Sequence, residues 1–250
     1  MKILPTLLVS GSFALSAIYI YKCINNNNIK IEFVNKNKGS EFIYKDNDNY
    51  IKNMSSQDLY ARKVKTTYEY LINSAKDVVN FSKKEKDILT KCIIDAEKIL
   101  TKKRSYLFDH NLLKNIPWKI ILTSGYYEEG LPHTRDNYII ISKDFFNTSH
   151  NDMISTLIHE KIHLYQRKYK LLFQKALHTL NYKIHGLRTN YPRIRSNPDV
   201  DEYVYIHPSN FLMISRYNSD TPYGIADVDN SHDIEHPNEE YAYRMTEDIF

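Results

Sequence analysis

Ser149-His150-Asn151-Asp152-Met153-Ile154-Ser155-Thr156-Leu157-Ile158-His159-Glu160-Lys161-Ile162-His163 is the stretch on which the fold turns. Ser149 with Asp152 three residues on reads as a capping box. Behind it Met153, Ile154, Leu157, Ile158, Ile162 and Tyr165 recur at helical spacing. Residues four apart lie one above another on a helix, so His159 and His163 can meet a single metal ion. Glu160 is then placed beside that ion, where it can accept a proton from an attacking water. Zinc suits this set: imidazole ligands, no redox chemistry, and a fourth position left open. Asn137 to Ser142, with three consecutive isoleucines, reads as a strand leading toward this helix, and Trp118 to Thr123, preceded by Pro117, reads as another.

Outward from the motif, Leu59, Val64, Tyr68, Leu71, Ile72, Ala75, Val78 and Val79 give a helical period from Ser56 onward. Ser82-Lys83-Lys84-Glu85 is a second capping box, opening a helix whose apolar face is Ile88, Cys92, Ile93, Ala96 and Leu100. Cys92 therefore has a packing role. Tyr203 to Ile206 and Phe211 to Ser215 suggest a hairpin around Pro208-Ser209-Asn210. A last helix begins near Pro237, where proline suits the first turn and Glu239 and Glu240 complement the helix dipole. Residues 23–54, rich in Asn, Lys and Asp with short apolar patches at Ile29 to Val34 and Glu41 to Tyr44, read as a linker with one strand at most. The expectation is an α+β domain over residues 55–250: a small mixed sheet on the metal helix, and a mostly helical C-terminal half.

Two histidines leave zinc short of a protein ligand. A metzincin would place Gly three and His or Asp six residues after His163, where this chain has Gln166 and Tyr169, so that pattern is excluded. In Asn238-Glu239-Glu240-Tyr241-Ala242-Tyr243 the chain resembles the thermolysin-like gluzincin metallopeptidases, whose second helix brings a ligand Glu after a polar residue and three before a small one. The resemblance implies Glu239 as third ligand, flanked by Asn238 and Ala242, with Glu240 as its near rival. Tyr243 stands where that clan often has an acidic residue bonded to a ligand histidine. Leu131 to Ile141 looks like the edge strand that zincins lay antiparallel to bound peptide. With Gln166-Arg167, Ser196-Asn197-Pro198-Asp199 and His236-Pro237, residues 115–250 also resemble zincin-like proteins of protists and large DNA viruses. The implied activity is peptide-bond hydrolysis by zinc-activated water with Glu160 as general base, on a peptide or protein substrate.

Such a site also needs a donor for the oxyanion. His232, seven residues before Glu239, is the leading candidate, with Tyr217 and Tyr223 behind it, while His236 reads as a helix-entry residue. Two alternatives stand beside the peptidase. One is a catalytically silent zincin-like binding module. The other is an SprT-like protease with His178 or His185 (followed by Gly186) as third ligand, acting near nucleic acid through nine Lys/Arg and no Asp/Glu from Lys161 to Arg195. A solvated face is the plainer reading of that run, so nucleic acid is not the expected partner. The acidic stretch Asp220 to Asp248 can neutralise it within the fold.

Composition sets the outer bounds. Of 250 residues, 42% are apolar and 26% charged, with net charge +4, which excludes a wholly disordered chain and marks no nucleic-acid binder. Two cysteines make neither a disulfide framework nor a Cys-rich zinc module. Ile3 to Tyr21 is a run of 19 residues without charge, about 28 Å long as a helix. It reads as a single membrane anchor within residues 1–22, or as a signal segment whose cleavage would release the protein.

Overall fold

Trp118, Ile120 and Leu122 pack to one side of their strand and Ile121 to the other, and all four are buried. A strand covered on both faces needs helices on both sides, and that requirement organises the molecule. The computed structural model describes residues 29–103, 105, 107–229, 234–247 and 249. In chain order the elements are β1 (Ile31–Phe33), α1 (Lys36–Lys45), α2 (Ser56–Ala61), α3 (Thr67–Asp77), β2 (Val78–Val79), α4 (Lys83–Lys102) and α5 (His110–Lys114). Then come β3 (Trp118–Thr123), β4 (His133–Arg135), β5 (Tyr138–Ser142), α6 (His150–Lys168), α7 (Lys170–Thr179), β6 (Lys183–Leu187), β7 (Tyr203–Ile206) and β8 (Leu212–Met213). The strands β9 (Arg216–Tyr217) and β10 (Val228–Asp229) precede the last helix, α8 (Pro237–Thr246).

The main sheet is mixed. β1, β3 and β5 run parallel, with Ile31 opposite Trp118 and Ile120 opposite Ile139. β4 returns antiparallel along β5 as the outer strand, and β2 pairs antiparallel with the end of β3. On one face α4 and α6 set Leu89, Ile93, Leu157, Ile158 and Ile162 against Ile120, Leu122, Ile139 and Ile141. On the other, α1 and α3 cover Ile121 and Ile140 with Ile43, Tyr70, Leu71 and Ala75. α1 approaches so closely that a Cβ on Gly39 would lie 2.9 Å from Val78 Cγ1 and 3.2 Å from Ile121 Cγ2. α8 lies across α6 and adds Tyr241, Ala242 and Met245 to the larger core. A second sheet of β6, β7 and β8 contains the hairpin expected around Pro208.

Three readings are revised. From residue 29 on, the stretch taken as a linker supplies β1 and α1 to the domain, although α1 buries only Gly39 and Ile43. The helical period from Ser56 divides: α2 ends at Ala61, Lys63 takes a positive φ of 58°, and Thr66 caps α3. That break turns Arg62 inward onto Glu128, at 3.1 Å from Nε and 2.5 Å from Nη2. Val78 and Val79 leave the helix to pair with β3. Third, the membrane localisation is corrected: among the described residues no helix is long and apolar enough to cross a bilayer. Residues 3–21, which suggested an anchor or signal, lie outside the described residues, as does His232.

Candidate metal centre

α6 is fixed at its start and along its buried side. Ser149 Oγ accepts the Asp152 N–H at 3.1 Å and donates to Asp152 Oδ2 at 2.7 Å, a one-way cap in place of the reciprocal box expected. Lys161, between the two histidines in sequence, faces the core. Its Nζ lies 4.3 Å from the centroid of the Trp118 ring and 3.5 Å from Glu97 Oε1, and it donates to Ile116 O. Burial pushes this amine down to about 8, with Glu97 pulling the other way. α8 is fixed by His236, whose Nδ1 accepts the Asn238 N–H at 3.1 Å while Nε2 contacts Asp201 at the same distance. His236 is thus a helix-entry residue.

These helices bring three donor atoms together from residues up to 80 apart (239 − 159). His159 Nε2 and His163 Nε2 are 2.9 Å apart, and Glu239 Oε2 lies 3.2 Å from the first and 3.7 Å from the second. Ligand bonds of about 2.0–2.2 Å in a tetrahedron separate donor atoms by roughly 3.3–3.6 Å; the observed 2.9, 3.2 and 3.7 Å fall on either side of that range, so the three atoms converge close to the spacing a zinc ion needs. Glu240 turns away: its Oε2 accepts the Tyr182 hydroxyl at 2.7 Å and its Oε1 accepts from Arg244.

Neighbouring side chains orient the donors. His163 Nδ1 is 2.8 Å from Gln166 Oε1, a carbonyl oxygen that can only accept. The proton therefore sits on Nδ1 and Nε2 presents its lone pair, the tautomer a ligand needs. Gln166 Nε2 donates onward to Asn238 O at 3.0 Å, tying α6 to α8. Asn197 Nδ2 donates to Glu239 Oε1 at 2.8 Å, which leaves Oε2 for the imidazoles. The centroid of the Tyr243 ring stands 4.6 Å from that of His159, a ring contact in place of a hydrogen-bonding carboxylate. Burial works against the Glu239 carboxylate, but the His163 and His159 contacts outweigh it and hold its pKa well below the usual range. For His159, burial is likewise outweighed by Glu239, and its pKa is raised.

Glu160 is 2% exposed and lines the same cleft, of about 440 Å³, as His159 and Glu239. Thr134 Oγ1 donates to its Oε2 at 2.8 Å. Burial raises the Glu160 pKa, against the pull of His159 and His163. That direction makes the carboxylate a better proton acceptor. The edge-strand reading changes here. β5 is interior, only β4 is outer, and its three residues are at most 2% exposed. Residues 196–199 bring Asp199 against the strand, where its Oδ1 accepts the Thr134 N–H at 2.6 Å. Burial, then the charges of Glu160 and Glu239, hold the Asp199 carboxyl well above the usual range.

The other candidates lie elsewhere. His178 and His185 are exposed on α7 and β6, outside the cluster. Tyr217 is buried with its hydroxyl on Asp58, and Tyr223 is 75% exposed. The basic run is not one face, since Lys161 is fully buried and Arg195 pairs with Glu235 at 2.6 Å. Thr134, Gln166 and Asn197 had no assigned role from sequence. Only Gln166 carries a signal, its place three residues after His163 on the same helix. No family model, curated protein or solved structure matches the chain.

Proposed function

We propose that this chain is a zinc-dependent metallopeptidase with a gluzincin-like ligand set, His159, His163 and Glu239. The observation that carries the reading is the convergence of two Nε2 atoms and one carboxylate oxygen from two helices, beside a cleft that also holds Glu160. Zinc held there would supply a Lewis acid that polarises a carbonyl and makes water a nucleophile near neutral pH. Glu160 takes the proton of the attacking water and returns it to the leaving amine. Thr134 holds one Glu160 oxygen and so aims the other. Asn197 and Gln166 keep Glu239 and His163 in the attitudes their roles require. The zincin-like fold is part of the same proposal, supported by a strand hairpin preceding the metal helix and a later helix crossing it.

The test uses the purified full chain. We expect about one zinc per chain, lost in His163→Ala, and cleavage of a peptide library scored by mass spectrometry. Glu160→Gln keeps the metal, because both imidazoles and Glu239 remain, and lowers cleavage by several orders of magnitude. Zinc no higher than background in protein prepared without chelator would end the reading. So would a Glu160→Gln variant as active as the unmodified chain.

A further inference from the structure

Thr134 joins two carboxylates. Its N–H donates to Asp199 Oδ1 at 2.6 Å and its hydroxyl to Glu160 Oε2 at 2.8 Å, so Asp199 and the proposed base stand on either side of one residue. Asp199 is 7% exposed and lines the metal cleft. Its carbonyl oxygen turns to Asn238 Nδ2 at 3.3 Å, whereas its carboxylate turns to β4. Oδ2 is not sealed in the core, and among the described residues it has no hydrogen-bond partner and the group forms no ion pair. The other charges of the cleft are matched. Arg62 meets Glu128 at 2.5 Å and Arg195 meets Glu235 at 2.6 Å. A divalent ion at the ligand set would answer Glu239 and Glu160, two charges for two. Arg167 acts on Asp199 without contact and must also serve Asp48, because Asp46 and Asp48 share Arg135. Three carboxylates divide two guanidinium groups, and the cleft is short of one positive charge at Asp199.

Residues 196–199 form a partition between this cleft and a second cavity, and the partition closes a route. An extended peptide laid along β4 would use the outward N–H of Thr134, which Asp199 already holds. The partition is fixed at each residue. Ser196 bonds Asp58 through N and Oγ, at 2.8 and 2.6 Å, Asn197 holds Glu239, and Pro198 O accepts from Arg167. Substrate on that side of the scissile bond is therefore limited to one residue, whose own amino group meets Asp199. An α-amino nitrogen lies about 2.5 Å from the carbonyl carbon of its residue. An acceptor for it has to stand beside the base, as Asp199 does, and a buried carboxylate without a cation favours an ammonium over a neutral amide. We propose that the chain is an aminopeptidase in which Asp199 binds the N-terminal ammonium of a peptide. Water is then added across the first peptide bond, releasing the first amino acid and a peptide one residue shorter. This inference rests on the peptidase reading and narrows its substrate class.

The test uses the purified full chain at saturating zinc and pentapeptides amidated at the carboxyl end, each with a free or an acetylated amino terminus. Mass spectrometry should show loss of one residue from the amino end of the free form. Acetylation removes the ammonium and should lower kcat/KM by at least about thirtyfold. Asp199→Asn keeps an acceptor for the Thr134 N–H without the charge, and should shrink that preference to a few-fold, whereas a merely structural defect would slow both peptides alike. The comparison of free and acetylated peptides needs no variant, and serves if Asp199→Asn does not fold. Internal cleavage, equal rates on the two forms, or an Asp199→Asn chain with the full preference would overturn the proposal and leave the peptidase standing. Cleavage of neither form would end both readings.

Discussion

Gln166→Leu separates the orienting of a metal ligand from the packing around it. Gln166 is 3% exposed and makes two buried hydrogen bonds, to His163 Nδ1 at 2.8 Å and to Asn238 O at 3.0 Å. Leucine nearly fills the volume and removes both. Two such bonds are worth about 1–3 kcal/mol of stability, or a fall of roughly 2–12 °C in Tm for a chain this size. The metal should respond beyond that. Loss of the partner that fixes a ligand histidine typically costs about 10–100-fold in affinity, so zinc Kd by chelator competition should rise by that factor. Gln166→Glu separates the two effects. It keeps an acceptor for the His163 Nδ1–H and sets a carboxylate against the Asn238 carbonyl, so affinity should stay within a few-fold while Tm falls. A Gln166→Leu variant whose zinc Kd lies within twofold of the unmodified chain would refute the reasoning.

Two further outcomes are expected. Glu239→Ala should weaken zinc by about 100-fold or more, while Glu240→Ala leaves it nearly unchanged and lowers Tm through the lost Tyr182 and Arg244 contacts; the reverse order in a chelator competition would move the ligand to Glu240. Burial pushes the His133 imidazole down to about 4, so the unfolded chain takes up a proton near pH 6.5 that the folded chain refuses until about pH 4. Stability from this group is full above about pH 6.5 and lost as pH falls, by on the order of 3 kcal/mol across that window. His133→Gln should flatten the pH dependence of urea unfolding between those values, and an unaltered slope would show that His133 is not buried neutral.

The parts of this molecule that could be read in advance are those whose signals are local. The caps at Ser82 and Ser149, the isoleucine run of β5 and the proline opening α8 each specify an element within a few residues, and each element lies where its signal put it. The hidden parts depend on partners far along the chain. Arg62 lies inside the apparent helical period, and the residue that draws it inward, Glu128, is 66 residues away. α1 was invisible because a helix that buries only Gly39 and Ile43 has almost no apolar stripe, and its close seat on the sheet needs the absence of a side chain. Ser196 to Asp199 has no period at all, so its place along β4 could not be inferred from spacing.

That partition of four residues has a thermodynamic consequence. One side of it meets Glu239 through Asn197, and the other is held by Arg167 through Pro198 O. Proline fixes φ, so the backbone between these two attachments has little freedom to absorb a displacement locally. What moves Pro198 therefore moves Asn197, and with it the Glu239 oxygen that Asn197 holds. A substitution anywhere from Ser196 to Asp199 is expected to carry a free-energy cost at Glu239 as well as at its own position.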